Sequence, residues 1–216
     1  KAKKETKEEE SKSETKMTYK RNSSIYLTDA ISCEPFINET RFHNNLHLAT
    51  TYAKQNNINV QVNASECGLM PYQYEFEKAK KIYSLTIDLE AIGKDENFNK
   101  ECDNKEKAQR VITLLKAVKN LNLIVKENND DAQPLFIVGG LSERKTHCFE
   151  NIVKVKNNKL VLSESLKDYQ TEGFKCGLLK AENFENESEI TKTLNPLSIN
   201  EFFNELEKEV NSYYGL

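Results

Sequence analysis

The chain has 216 residues, 38% hydrophobic and 30% charged, with a formal net charge of −3. That is enough for one large domain, or for a domain carrying an insertion. No apolar run approaches the ~20 residues of a membrane-spanning helix, and the near-neutral balance excludes a polybasic nucleic-acid binder, so any nucleic-acid site must be a local groove.

Residues 1–21 carry a net +3 and residues 181–216 a net −6, which leaves the span between them neutral. Residues 1–18 are a low-complexity mixture of lysine and glutamate and read as a disordered arm or loop. They hold no apolar run and therefore no signal peptide. Met17 is the first methionine, so a fragment or a processed chain is expected.

"SSIYLTDAISCEP", residues 23–35, reads as one strand with Ile25, Leu27, Asp29 and Ile31 on one face and Pro35 closing it. From Phe36 to about Lys80 the pattern breaks up. A short alternating piece (Ile58, Val60, Val62) precedes Gly68 and Pro71, and the aromatics Tyr72, Tyr74 and Phe76 follow. This region reads as an insertion, either a hairpin or an irregular arm. "KIYSLTIDLEAIG", residues 81–93, is the cleanest strand. Tyr83, Leu85, Ile87 and Leu89 alternate with polar residues, so its sheet is covered on one side.

A charged linker, "KDENFNKECDN", leads to an amphipathic helix over 104–125. Ala108, Val111, Ile112, Leu115 and Val118 form its stripe, widened by Leu114 and Leu121, and Asp103 with Glu106 forms a capping box. "DDAQPLFIVGG" is a buried strand leaving through Gly139 and Gly140, where a backbone bend is expected. "ENIVKVKNNKLVLSE" is a hairpin turning on Asn157 and Asn158. "SINEFFNELEKEVNSYY" is a helix capped by Ser198 and Glu201, burying Phe202, Phe203, Leu206 and Val210. The order strand, insertion, strand, helix, strand makes an α+β fold and matches the last four elements of a ferredoxin-like βαββαβ unit. Its first strand and first helix are absent, so an exposed sheet edge and the loss of half the helical cover are expected.

The five cysteines are scattered with no Cys-x-x-Cys, which points to reduced thiols in a cytoplasm. No nucleophile elbow, phosphate-binding glycine loop, dinucleotide fingerprint or His-Glu-x-x-His is present. "SERK" after the diglycine sets Arg144 and Lys145 at a strand exit, where they can contact phosphate. "RFHNNLHL", residues 41–48, spaces His43 and His47 as a helical metal pair would be. Its adjacent asparagines disfavour that helix, and no third ligand accompanies the pair. Arg41 and His43 suit phosphate, Asn44 suits sugar hydroxyls, and Phe42 suits stacking or wedging against a base.

"SSIYLTDAISCEPF", "YQYEFEKAKKIYSLTIDLEAIG", "EKAQRVITLLKAVKNL" and "DDAQPLFIVGGL" together resemble the CRISPR-associated DevR-type autoregulator family over roughly residues 20–142. The resemblance lies in the succession of elements, with no single diagnostic motif. It implies the backbone subunit of a type I-B Cascade complex, built on a modified RNA-recognition-motif (ferredoxin-like) palm with finger and thumb insertions. Residues 19–35 and 81–180 would form the palm with a C-terminal hairpin, 36–80 the thumb, 1–18 the end of the finger insertion, and 181–216 an acidic helical segment. Copies would polymerise along one guide RNA, with other Cascade subunits and target DNA as further partners, and with no catalysis, metal or cofactor. The candidate RNA-contacting residues are Lys20, Arg21, Arg41, Phe42, His43, Asn44, Met70, Arg144 and Lys145. Two rival classes stay open. One is a guide-processing endoribonuclease using His43, His47 or His147 beside "GGLSERKTH". The other is a DNA-binding repressor, for which no helix with clustered Arg and Lys is found.

Overall fold

The computed structural model describes residues 19–35, 39–69, 71–125 and 128–216. The arm over 1–18 and Met70 lie outside the described residues.

The stretch 23–35 is broken into β1 (Ile25–Leu27) and β2 (Ile31–Ser32). The chain next forms β3 (Glu39–His43), α1 (Leu46–Asn56) and β4 (Tyr72–Phe76), so of the two expected forms, hairpin or irregular arm, the hairpin is present, with a helix at its tip. Then β5 (Lys81–Ile82) and β6 (Leu85–Ile87) return antiparallel to the first two strands. Leu27 stands opposite Leu85, but Ile31 stands opposite Ile82, so residues 28–30 face only residues 83–84. The extra residue is a β-bulge. It is pinned where the Thr28 N–H donates to the Ser84 carbonyl at 3.0 Å and the Ser84 N–H donates to Thr28 Oγ1 at 2.8 Å. A one-residue slip exchanges the two faces. The single apolar face expected for residues 25–31 is therefore not formed, and Leu27 and Ile31 are 64% and 69% exposed.

The expected charged linker is a second small hairpin, β7 (Lys94–Asp95) and β8 (Lys100–Glu101). Asn99 supplies its positive φ of 49°. Lys107 in the following helix is buried, and its ammonium is paired with Glu101. That helix, α2 (Asn104–Lys119), starts where Asp103 accepts the Glu106 N–H at 2.7 Å. Only half of the expected capping box forms, because the Glu106 carboxylate turns to Arg110 Nε at 3.1 Å. The helix ends at Lys119 instead of running to 125. Asn120 and Asn122 are weak helix formers, and Ile124 and Val125 prefer strands. Residues 122–125 enter a hairpin of β9 (Asn122–Val125) and β10 (Asn128–Asp131).

After β11 (Phe136–Gly139) comes the hairpin of β12 (Val155–Lys156) and β13 (Lys159–Leu160). It turns on Asn157 and Asn158, both at positive φ (47° and 60°), as such a turn requires. The chain closes with α3 (Glu164–Thr171), β14 (Lys175–Leu178), α4 (Glu187–Leu194), β15 (Leu197–Ser198) and α5 (Ile199–Tyr213). Strand β14 lies between β11, antiparallel, and β15, parallel.

Two cores cover the two faces of β11. Ile137 packs against the core of α2 and α5, which includes Val111, Leu115, Phe202 and Phe203. Phe136 and Val138 pack against the second core, with Leu160, Leu166, Leu178, Ile190 and Leu194. Strand alternation divides these neighbours between opposite faces. Gly177 lets α5 approach: a Cβ there would stand 2.9 Å from both Ile137 Cγ2 and Phe202 Cβ. The Ser198–Glu201 capping box of α5 is complete. The half of the helical cover expected to be missing is thus replaced, because α5 packs beside α2 from the C-terminal end of the chain.

Candidate nucleic-acid interface

The β3–β4 ribbon pairs Glu39 with Phe76, Arg41 with Tyr74 and His43 with Tyr72. Opposed residues of an antiparallel pair share a face. Positions 39, 41 and 43 therefore lie on one face with positions 76, 74 and 72, and Thr40, Phe42, Gln73 and Glu75 lie on the other. On the first face the rings of His43 and Tyr72 stack, with centroids 5.3 Å apart and planes 12° apart. On the second, Phe42 is 64% exposed. Phe42 therefore faces away from His43, with which the sequence grouped it.

Beyond β3, the exposed Asn44 leads into α1, whose N-cap is Asn45. His43 ends a strand and His47 sits in the first turn of a helix, so the two histidines do not share a helical face. Helix α1 buries only Ala49 and Ala53, against Cys67, with Ile58, Val60 and Leu69 around them. It leaves Leu46, Leu48 and Tyr52 exposed. Among the described residues, no group of three or more His, Cys, Asp or Glu side chains is placed to hold a metal.

The other candidates lie elsewhere. Arg21 reaches Asp95 of β7 at 4.0 Å, and the Asn97 side-chain amide donates to the Lys20 carbonyl at 2.9 Å. Arg144 is exposed in the loop after β11. In the same loop the Lys145 ammonium lies 2.6 Å from Glu90 and 3.1 Å from Asp88. The hydrogen bonds to Glu90 and then Asp88 push its pKa up to about 12. Its charge is thus matched by two carboxylates of the β6 exit. Nearby, His147 Nδ1 is 2.9 Å from Thr86 Oγ1. The candidates are therefore split among the ribbon, the β7–β8 hairpin and the β11 exit.

Sequence reasoning missed Tyr72 as a partner of His43. The period-two aromatics 72, 74 and 76 carried that signal, since alternation of this kind marks a strand. A ribbon that exposes Phe42, His43 and Tyr72 can stack on unpaired bases.

The family model described as CRISPR-associated negative auto-regulator DevR/Csa2 matches residues 7–164. No curated protein and no solved structure matches the chain. Among the described residues, no helix is long and apolar enough to cross a membrane.

Proposed function

Since this chain belongs to the CRISPR-associated negative auto-regulator DevR/Csa2 family, we propose that it is a non-catalytic RNA-binding subunit that polymerises along a guide RNA. In this reading it forms the backbone of a type I-B Cascade complex in the cytoplasm, beside other copies, further Cascade subunits and target DNA. The strand pairs β1–β6 and β2–β5, with α2 and β11, would be the last four elements of an RNA-recognition-motif palm. Residues 36–80 would be its thumb, and residues 1–18 the end of a finger insertion.

The observation that carries the reading is the β3–β4 ribbon, with His43 stacked on Tyr72 on one face and Phe42 exposed on the other. An exposed aromatic ribbon contributes little to a core and suits stacking against unpaired bases. Stacking engages base faces and leaves base edges free to pair with a target.

Anisotropy titration of a guide-length RNA at rising salt tests it. Affinity should fall steeply with salt and depend little on RNA sequence. The double variant Arg41→Ala, His43→Ala should bind at least about tenfold more weakly, with stability within about 1 kcal/mol of the parent, as for surface changes. Wild-type affinity in that variant would sink the ribbon as the RNA site. RNA incubated with the protein, with or without divalent metal, should stay intact. A cleavage product that disappears in His147→Ala would favour the endoribonuclease instead.

A further inference from the structure

We propose that Lys80 is a positioning residue that pins the root of the arm to the C-terminal region and thereby sets the direction in which the β3–β4 ribbon meets RNA. The inference rests on the reading of that ribbon as the RNA site.

Among the described residues, the arm's own core holds only arm residues: Ala49, Ala53 and Cys67, with Ile58, Val60 and Leu69 packed against them. The direction of the arm is therefore set at its root, where the chain leaves at Cys33 and returns at Lys80. There the Cys33 N–H donates to the Lys80 carbonyl at 2.8 Å. This bond joins the two limbs to each other and does not anchor them to the body. The strands below it, β2 and β5, are two residues each, and a two-stranded pair that short is marginal on its own.

The anchor is the Lys80 side chain, which is half-buried and reaches a partner 78 residues along the chain. Its ammonium donates to the Asn158 side-chain carbonyl. It also lies 5.4 Å from the centroid of the Phe184 ring, whose negative face attracts a cation. Both partners are held in place. Asn158 sits in the β12–β13 turn, and its backbone carbonyl accepts the Glu185 N–H at 3.1 Å. Asn186 Oδ1 accepts the Leu160 N–H at 3.0 Å, and Asn186 Nδ2 donates to the Leu160 carbonyl at 2.9 Å. Phe184 is 5% exposed and belongs to the second core with Leu160. The socket that receives Lys80 is thus part of a packed region, not of a loose loop.

Lysine suits this place, because its apolar stem can lie along the root while the ammonium reaches the socket. That ammonium is turned to an amide oxygen and a ring face, whereas Lys20 and Arg144, candidate phosphate contacts, are exposed. The neighbouring pair of Lys78 and Asp130, at 3.9 Å, joins side chains that are 92% and 52% exposed, and such a pair contributes little. Without the Lys80 anchor the ribbon samples directions that do not meet the RNA, and apparent affinity falls with the fraction that does.

Two variants of the full chain test this. Lys80→Met keeps the stem and removes the ammonium, and Asn158→Gly removes the acceptor and suits the φ of 60° at that turn position. Arm direction is read by pulsed electron paramagnetic resonance between spin-labelled unnatural residues at the exposed Gln55 of α1 and Lys192 of α4. RNA binding is read by anisotropy titration at several salt concentrations. Each variant should broaden the single distance peak of the parent. Each should also weaken RNA binding about fivefold, as when about a fifth of the directions stay competent. The salt slope should match the parent's, whereas loss of a phosphate contact would lower it by about 1. The double variant should bind no more weakly than either single one, because both remove the same contact. An unchanged distance peak, unchanged affinity, a lowered slope or additive losses would each overturn the pin. If Arg41→Ala, His43→Ala binds RNA like the parent, the ribbon reading falls and takes the RNA half of the proposal with it. The distances would still decide whether Lys80 holds the arm.

Discussion

Helices α5 and α1 carry similar apolar residues and use them in opposite ways. In α5, Ile199, Phe202, Phe203 and Val210 are buried between β14 and α2. In α1, only two alanines are buried, and Leu46, Leu48 and Tyr52 stay exposed on the arm that carries the ribbon. Amphipathic spacing therefore says that a helix has an apolar side, not that its own chain will cover it. The C-terminal region converts apolar area into stability, while the arm leaves apolar and aromatic surface exposed.

The sharpest way to break this contrast is to empty the C-terminal core. Phe202 is fully buried, so Phe202→Ala should cost about 3–5 kcal/mol in chemical denaturation. A loss under 1 kcal/mol would show that α5 does not hold the fold.

A second test compares two buried thiols. Cys67 belongs to the small cluster of the arm and Cys176 to the second core, where burial pushes its pKa up to about 11. Local opening of a thinly packed region needs far less free energy than global unfolding. Under native conditions at pH 8, alkylation of Cys67 should outpace that of Cys176 by roughly a hundredfold, as read by peptide mass spectrometry. Equal rates would mean that the arm and the core open as one unit.

A smaller effect is expected at the start of α5. Ser198→Ala removes the hydroxyl that accepts the Glu201 N–H at 3.2 Å and donates to its carboxylate at 2.8 Å. The cost should be about 1 kcal/mol. The smallest effect belongs to the ribbon. Phe42→Ala should change thermal stability by no more than about 0.5 kcal/mol. A loss above 2 kcal/mol would place Phe42 in a core and erase the contrast.

Much of the fold was legible where a local period and a local cap agreed. The start and stripe of α2, the Asn157–Asn158 turn and the α5 capping box are of this kind, since each rests on neighbours within a few residues, whereas the strand expected over 81–93 is split into β5 and β6 and ends at Ile87. The bulge at 28–30 was not legible, because register is a property of two strands and depends on what residues 83–84 offer opposite. Strand β14 was missed because "KCGL" has no alternation. Its place is set by Gly177, which admits Phe202 from a helix twenty-five residues later. Of the candidate site, the chemistry of Arg41, Phe42 and His43 could be read from residue type, but the face each occupies could not. Lys145 illustrates the same limit, because its two carboxylate partners come from residues more than fifty positions away.

By itself, then, the sequence determined the α+β class, the main amphipathic helices, the local turns and the family, because these depend on residue types at short spacing. Tertiary structure decided that α5 closes over α2, that Phe42 and His43 face opposite ways, and that α1 leaves Leu46 and Leu48 uncovered. Such features depend on which distant segment lies opposite, and no local pattern encodes the identity of that neighbour.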